Sequence, residues 1–112
     1  MVKMTKKEAL ELTRTLWRWL ARNPTKDKSQ WPGWPLHGTV QGHCFCCEYS
    51  SQQGYVGQWS CDGCPLIGVA WKNDCAETKT PYNKWKNATA EYLRTRHATR
   101  LADACTRALE AL

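Results

Sequence analysis

The chain has 112 residues, 42% of them hydrophobic, which suits one domain with a modest core. A formal net charge of +6 favours an acidic partner, such as nucleic acid or an acidic protein surface. Composition excludes a transmembrane helix, because no apolar run approaches the length of a membrane span, and arginines in the first apolar stretch argue against a secretory signal. Seven cysteines, an odd number, predict reduced thiols in the cytoplasm rather than a disulfide framework.

The first predicted element is an amphipathic helix from Thr5 to Arg22. Thr5 and Glu8 form the Thr-x-x-Glu pattern of a capping box, and Asn23-Pro24 ends the helix. At about 100° per residue the apolar side chains share one broad side, which marks a surface helix packed on a core. The other side carries a basic stripe, which predicts either phosphate contacts or an ordinary solvated face. The candidates for binding nucleic acid are Lys7, Arg14, Arg18 and Arg22.

The segment from Thr25 to Gly42 is predicted to be a loop, because its Trp-Pro-Gly-Trp-Pro sequence is too rich in proline and glycine for regular structure. Its two tryptophans, Trp31 and Trp34, have two interpretations. Their rings either cap the core or form an exposed patch that binds a partner.

The central residues 43–75 are predicted to form a zinc-ribbon-like β-hairpin module. Residues 48–51 and 55–60 would pair as the two strands of the hairpin, joined around Gln52-Gln53-Gly54. Residues 66–71 would supply a third strand.

The last predicted element is a long helix over residues 80–112, with Thr80 as N-cap and Pro81 at the first helical position. Its apolar face shifts by roughly half a turn along the chain, so one straight helix would face two different surfaces. We expect either a kink near residues 95–97 or two halves that pack differently. The favoured arrangement puts the first half on the zinc module and the second on the first helix, and a dimer or partner face is the alternative. Residues 1–112 are thus predicted to form a single α+β domain.

The strongest motif is a double cysteine pair, Cys44-Phe45-Cys46-Cys47 followed after thirteen residues by Cys61-Asp62-Gly63-Cys64. Structural zinc takes four tetrahedral thiolate or imidazole ligands, and a C-x2-C turn lets two sulfur atoms face one metal ion. An intervening hairpin would bring the second pair beside the first. The spacing therefore predicts one structural zinc ion, against the alternative of reduced core cysteines without metal. The predicted ligands are Cys44, Cys47, Cys61 and Cys64.

Other side chains compete for the ligand positions. Cys46 lies within the first pair, His43 directly precedes it, and Cys75 lies eleven positions after the second pair. These three residues are the alternative metal ligands. Cys105 falls on the apolar face of the last helix and is predicted to belong to the core.

The motifs favour a non-catalytic protein. The chain has three histidines, and none belongs to a zinc-protease, phosphate-loop, nucleophile-elbow or zinc-deaminase motif. A zinc site closed by four thiolates has no open coordination position, so the metal would hold the fold rather than perform chemistry. A nuclease that uses His37 or His43 beside zinc is the alternative.

The cysteine pairs and the start of the last helix resemble a group of small uncharacterised zinc-binding proteins of tailed bacteriophages. The shared order is Cys44-Phe-Cys-Cys47-Glu48-Tyr49, then Cys61-Asp-Gly-Cys64-Pro65-Leu66, then Cys75, then Pro81-Tyr82-Asn83-Lys84-Trp85. The likeness covers the central part of the chain and departs from the pattern in the added Cys46. It implies a zinc-binding accessory protein made in the cytoplasm of an infected bacterial cell. It also implies that Pro81, Tyr82 and Trp85 are helix-start and core residues near the metal.

Small phage proteins of this kind often act by binding a macromolecule, which gives two predicted functions. The first is an inhibitor or modulator of a host protein, such as a defence or nucleic-acid-processing enzyme, bound through Trp31, Trp34 or the second face of the last helix. The alternative is a nucleic-acid-binding accessory factor that uses the basic face of the first helix and weakens steeply as salt rises. A virion component is a third, less favoured interpretation.

Overall fold

The computed structural model describes residues 3–55, 62–72 and 75–112, and its main elements are four α-helices. They are α1 (Lys6–Arg22), α2 (Phe45–Gln52), α3 (Pro81–Asn87) and α4 (Glu91–Glu110). Short 3-10 turns at Lys28–Gln30, Trp34–Leu36 and Gln41–His43 lie between α1 and α2. Across the described ranges, no helix combines the length and the apolar character that a membrane span requires.

The predicted α+β fold with a β-hairpin module is wrong, because the described part of the chain is helical and contains no sheet. Residues 48–51, predicted as the first strand, lie inside α2. Residues 66–71 form turns around an isolated bridge between Ile67 and Trp71 rather than a third strand. Of the second predicted strand, Tyr55 is described and is not in a strand, and the rest lies outside the described residues.

The physical reason for the first error lies at the N-terminus of α2. Cys44 has extended backbone, at φ −140° and ψ 108°, and its sulfur accepts a hydrogen bond from the N–H of Cys47, as an N-cap side chain does. Glu48 adds a negative charge in the first turn, where the helix dipole favours it. Phe45 and Ser50 then bury one side of the helix. The first C-x2-C turn therefore begins a helix instead of a hairpin.

α1 forms as its sequence predicts. Thr5 Oγ1 accepts a hydrogen bond from the N–H of Glu8 at 3.1 Å, and Glu8 Oε1 accepts one from the N–H of Thr5 at 3.0 Å, which completes the capping box. The buried side of the helix packs against α4 and α2. Its members are Ala9, Leu10, Thr13, Leu16, Trp17 and Leu20.

The C-terminal region begins as predicted and then differs. Thr80 is the N-cap of α3, and Pro81 occupies its first turn. The single long helix is wrong, because residues 88–90 separate α3 from α4 with extended backbone at both flanking caps. The kink near residues 95–97 is also wrong, since α4 runs through them without interruption. The shift of the apolar face reflects this earlier break, which lets the two helices bury different sides.

α1 and α4 form an antiparallel pair at the centre of the fold. Near one end, Arg14 donates a hydrogen bond to the hydroxyl of Thr106 at 3.3 Å. Near the other end, the hydroxyl of Thr95 donates to the carbonyl of Ala21 at 3.0 Å. The C-terminal half of the predicted long helix thus packs on α1, which is the arrangement that the sequence favours.

α3 closes one side of this pair through aromatic contacts. Trp17 of α1 meets Trp85 edge to face, with ring centroids 4.8 Å apart, and Tyr82 lies 6.0 Å away. The guanidinium of Arg94 lies 4.3 Å over the Trp85 ring and pairs with Asp27 at 3.0 Å. These contacts fix α3, and with it the loop that precedes it, against α1.

Candidate metal centre

The first cysteine pair is positioned by the N-terminus of α2. Gly42 and His43 precede it in left-handed backbone, at φ 60° and φ 50°, and turn the chain into the helix. Cys44 is the N-cap and accepts a hydrogen bond from the N–H of Cys47 at 3.2 Å. Both cysteines therefore lie at the first turn of α2, and both line the same cavity.

The second cysteine pair is fixed beside α2 by a buried hydroxyl. Ser50 has no exposed surface, and its oxygen accepts a hydrogen bond from the N–H of Gly63 at 3.1 Å. A side chain at Gly63 would meet that oxygen and the ring of Tyr55, so this close approach requires glycine. The turn brings Cys64, which is 8% exposed, to the cysteines of α2. Cys61, the remaining predicted ligand, lies outside the described residues.

Five thiol groups from three parts of the chain gather beside α2, and we call them the thiol cluster. Its members are Cys44, Cys46, Cys47, Cys64 and Cys75. A hydrogen bond from the Cys47 thiol, helped by the charge of Lys28, lowers the pKa of Cys44 to about 7. A hydrogen bond from the Cys46 thiol likewise lowers the pKa of Cys64. The same hydrogen bonds, together with burial, raise the pKa of Cys46 and that of Cys47. The cluster thus pairs each of two thiols of lowered pKa with a neighbouring thiol of raised pKa.

A cavity of about 210 Å³ lies against this cluster, and all of its thiols except that of Cys64 line the wall. Lys28 reaches the cavity from the loop after α1, where its amine donates a hydrogen bond to the carbonyl of Gly42 at 3.2 Å and lies 4.7 Å over the ring of Tyr82. Trp71 also lines the cavity, and its buried indole N–H has no hydrogen-bond partner among the described residues. The cavity therefore combines several sulfur donors with one positive charge.

The three alternative ligands occupy different surroundings. Cys46 is buried toward α1, where its sulfur lies 3.2 Å from the hydroxyl oxygen of Thr13. His43 is exposed, and its ring packs on Trp34 with centroids 5.0 Å apart, although the residue also borders the cavity. Cys75 is half-buried and lines the cavity. Cys46 and Cys75 thus lie in the thiol cluster with the predicted ligands, whereas His43 packs on an aromatic neighbour.

Three of the four predicted ligands, Cys44, Cys47 and Cys64, belong to the thiol cluster. Within residues 3–55, 62–72 and 75–112, no three His, Cys, Asp or Glu side chains are arranged so as to hold a metal ion. The predicted set also needs Cys61, which lies outside those ranges. Cys105 is fully buried on α4, and burial raises its pKa to about 12, so it is a core residue as predicted.

The predicted phosphate-binding stripe on α1 divides into two pairs. Lys7 forms an ion pair with Glu11 at 4.0 Å, and Arg14 is half-buried and donates a hydrogen bond to α4. Arg18 and Arg22 are exposed and form no ion pair with the described residues. The unpaired charge therefore lies toward the C-terminus of α1.

The two tryptophans predicted to bind a partner belong to an aromatic cluster that covers one end of the core. Trp31 is 9% exposed and meets Trp34 and Phe45 edge to face, with centroids 5.0 Å and 5.8 Å away. Trp34 is half-buried, and its indole N–H donates a hydrogen bond to the carbonyl of Lys28 at 2.7 Å. Trp31 offers a partner little surface, and the core-capping interpretation accounts for both rings.

Two buried hydroxyl groups hold the cysteine segments and are not among the predicted site residues. Thr13 contacts the sulfur of Cys46, and Ser50 binds the N–H of Gly63. Thr13 had a signal in the sequence, because it is a polar residue among the apolar positions of an amphipathic helix and so needs a buried partner. Ser50 had none, because the sequence predicts a strand there.

The thiol cluster is chemically suited to a soft divalent cation. Thiolate sulfur favours zinc over cations such as Mg²⁺ and Ca²⁺ that prefer oxygen ligands. Hydroxyl and indole groups around the sulfurs can orient them, as outer-shell groups do in metal sites. No protein-family model, curated protein sequence or solved structure matches the chain.

Proposed function

We propose that the protein is a non-catalytic accessory protein, stabilised by one structural zinc ion, that acts by binding a macromolecule of a bacterial host cell. The observation that carries the proposal is the thiol cluster. Its cysteines come from α2, from the turn at Cys64 and from the loop at Cys75, so folding brings distant residues together. Each of them is a reduced cysteine rather than half of a disulfide, and deprotonated thiol sulfur is a zinc ligand.

Zinc accounts for a grouping that would otherwise be costly. Thiolates held this close repel one another, and a divalent cation removes the repulsion while using the sulfurs as ligands. In the proposed site the two C-x2-C pairs supply the four ligands, with Cys46 and Cys75 as the substitutes that the cluster offers. Four thiolates leave no open coordination position, so the proposed role of the metal is structural.

The resemblance to phage proteins and the exposed positive charge of α1 both support the binding role. The resemblance to small phage proteins supports the cytoplasm of an infected bacterium as the setting, and a host protein, such as a defence or nucleic-acid-processing enzyme, as the partner. Nucleic acid is the second candidate. It is favoured by the exposed and unpaired Arg18 and Arg22, since guanidinium groups bind phosphate in bidentate fashion.

Native mass spectrometry of the freshly purified protein tests the metal. We expect a mass excess of one zinc ion that a chelator removes. The double variant Cys44→Ser/Cys47→Ser should lose the zinc. Cys105→Ala should retain it, because Cys105 is a buried core residue of α4 that does not line the cavity. Substitution of cobalt(II) for zinc should produce sulfur-to-metal absorption bands, which report thiolate ligands directly.

A protein that carries no metal, and in which all seven cysteines react as free thiols or form disulfides, would contradict the zinc proposal.

Capture of partners on the zinc-loaded protein at two salt concentrations distinguishes a nucleic-acid partner from a host-protein partner. Bound nucleic acid should be released as salt rises, whereas a host protein held by an apolar interface should remain bound.

A further inference from the structure

The solvent-facing side of the α1–α4 pair, opposite the core, carries four arginines and one tyrosine, which we call the outer face. Its members are Arg18 and Arg22 of α1 and Tyr92, Arg96 and Arg100 of α4. All five are exposed, and Tyr92 has 69% of its surface open to solvent. An exposed aromatic ring on the same face as arginines can stack on a planar group while the arginines bind anions.

The antiparallel packing of α1 and α4 brings the two rows together. The hydrogen bond from Thr95 to Ala21 fixes the end of α1 beside the beginning of α4. Residues four apart on a helix share a face at a rise of about 6 Å, so Arg18 and Arg22 form one short row. Tyr92, Arg96 and Arg100 form a second row on the neighbouring helix.

The charges of the outer face are not compensated within the described chain. The ion pairs there are Lys7 with Glu11 and Arg94 with Asp27, and neither includes an outer-face residue. The closest carboxylates along α4, Asp103 and Glu91, pair with none of the described arginines. The guanidinium groups are therefore available to an external anion.

His97 shows that the positive field extends from the outer face toward α3. Burial, followed by the charges of Arg100, Lys84 and Arg96, lowers the pKa of His97. Its Nδ1 atom is buried and has no hydrogen-bond partner among the described residues. Three cations from two helices thus act on this imidazole, so Lys84 of α3 adds to the positive field of the outer face.

We propose that the outer face binds the phosphodiester backbone of single-stranded nucleic acid, with the arginines on phosphates and Tyr92 stacked on a base. This inference rests on the proposed function, because it assumes that the protein acts by binding a macromolecule. It adds the class of that macromolecule and the surface that binds it. An acidic protein surface would pair with the arginines, but its carboxylates offer no planar ring on which Tyr92 can stack. An unpaired strand satisfies both, because its bases are free to stack on an exposed ring.

Fluorescence anisotropy with a labelled oligothymidylate, and with a duplex of the same length, tests the proposal on the purified full chain. Contacts from four arginines predict that log Kobs falls against log salt concentration with a slope of about −3. Arg96→Gln/Arg100→Gln should weaken binding by about tenfold or more at low salt and reduce the slope to about −1.5. Lys3→Gln/Lys6→Gln removes the same charge from the opposite end of the α1–α4 pair and should change affinity by less than about twofold.

Tyr92→Ala separates stacking from charge. It should weaken oligothymidylate binding by about fivefold or more and leave duplex binding unchanged. The proposal is overturned by the absence of binding at low salt, by equal losses in the outer-face and control variants, or by tighter binding of the duplex. Displacement of oligothymidylate by equally low concentrations of polyglutamate would also overturn it.

Zinc is quantified in the same samples, so the two proposals are judged separately. Zinc-loaded protein that fails to bind oligothymidylate contradicts the outer-face proposal alone. Metal-free protein that binds it through the arginines contradicts the zinc proposal alone.

Discussion

At the scale of single residues, buried hydroxyl groups hold the cysteine segments in position. Thr13 Oγ1 donates to the carbonyl of Ala9 at 2.7 Å and lies 3.2 Å from the sulfur of Cys46. Ser50 accepts from the N–H of Gly63, and neither Ser50 nor Thr13 is more than 4% exposed. Leaving such a buried group unpaired costs about 1–3 kcal/mol. These two hydroxyls therefore help to determine where the sulfurs lie.

Gly63 is a residue at which one added carbon should lower stability. An alanine Cβ there would lie 2.6 Å from Tyr55 Cδ2 and 2.8 Å from Ser50 Oγ. Ser50 is buried on a helix and cannot move away freely, so Gly63→Ala should lower the free energy of unfolding by about 1–3 kcal/mol through overpacking. Urea unfolding of the purified protein measures the effect.

The matched control for Gly63→Ala removes one of the two clashes. Tyr55→Ala alone should have a small effect, because Tyr55 is 41% exposed. In the double variant Gly63→Ala/Tyr55→Ala, part of the stability lost in Gly63→Ala should return. Strictly additive losses would show that the two residues are not in contact.

At the scale of elements, the N-cap of α3 also anchors the loop that carries Cys75. The hydroxyl of Thr80 accepts a hydrogen bond from the N–H of Asn83 at 3.1 Å. Its own hydrogen faces the carbonyls of Cys75 at 2.5 Å and of Glu77 at 3.0 Å. One hydroxyl thus begins the helix and closes the turn before it.

Thr80→Ala should therefore destabilise the protein by about 1–2 kcal/mol, toward the upper end for an N-cap, because Thr80 is buried and has partners on both sides. Thr80→Ser retains the hydroxyl and should lose less than half as much. Thermal or urea unfolding of the two variants provides the comparison. Equal losses would assign the effect to the missing methyl group rather than to the hydrogen bonds.

Element boundaries were predictable where a local signal fixed them. The capping box at Thr5 and the Thr80-Pro81 pair mark helix starts through contacts within one turn, and both prove correct. α2 was not predictable in the same way, because a cysteine at the N-cap also fits the turn of a zinc ribbon. The break after Asn87 depends on the packing of α3 and α4 against other elements, which periodicity alone does not locate.

At the scale of the whole molecule, the sequence indicates which residues have similar side-chain chemistry more reliably than it indicates which residues are neighbours in the fold. Cysteine spacing selects Cys44, Cys47, Cys61 and Cys64, of which Cys61 lies outside the described residues and the other three belong to the thiol cluster. Spacing does not indicate that Cys46 would contact Cys64 from inside the first pair. The outer face is harder still to foresee, because it exists only once α1 and α4 pack antiparallel.

Removal of the proposed zinc ion should loosen the cysteine-bearing half of the molecule more than the α1–α4 pair. α1 and α4 bury aliphatic and aromatic side chains against each other, including Leu16, Trp17 and Leu101, which need no metal. α2 and the turn at Gly63 are joined by one buried hydroxyl and by the proposed bonds from cysteine sulfur to zinc, which a chelator removes. The metal should therefore contribute most of its stabilisation to that half.

Amide hydrogen exchange with and without chelator measures this division of stability. Chelation should accelerate exchange over residues 45–52, 62–72 and 75–80, while α1 and α4 keep most of their protection. Cys105→Ala, which leaves the thiol cluster intact, should show the same difference between metal-bound and chelated protein. Unchanged exchange throughout the chain would contradict a structural role for zinc. Equal acceleration in all four helices would mean that the metal holds the whole core, and that α1 and α4 do not form a separate stable unit.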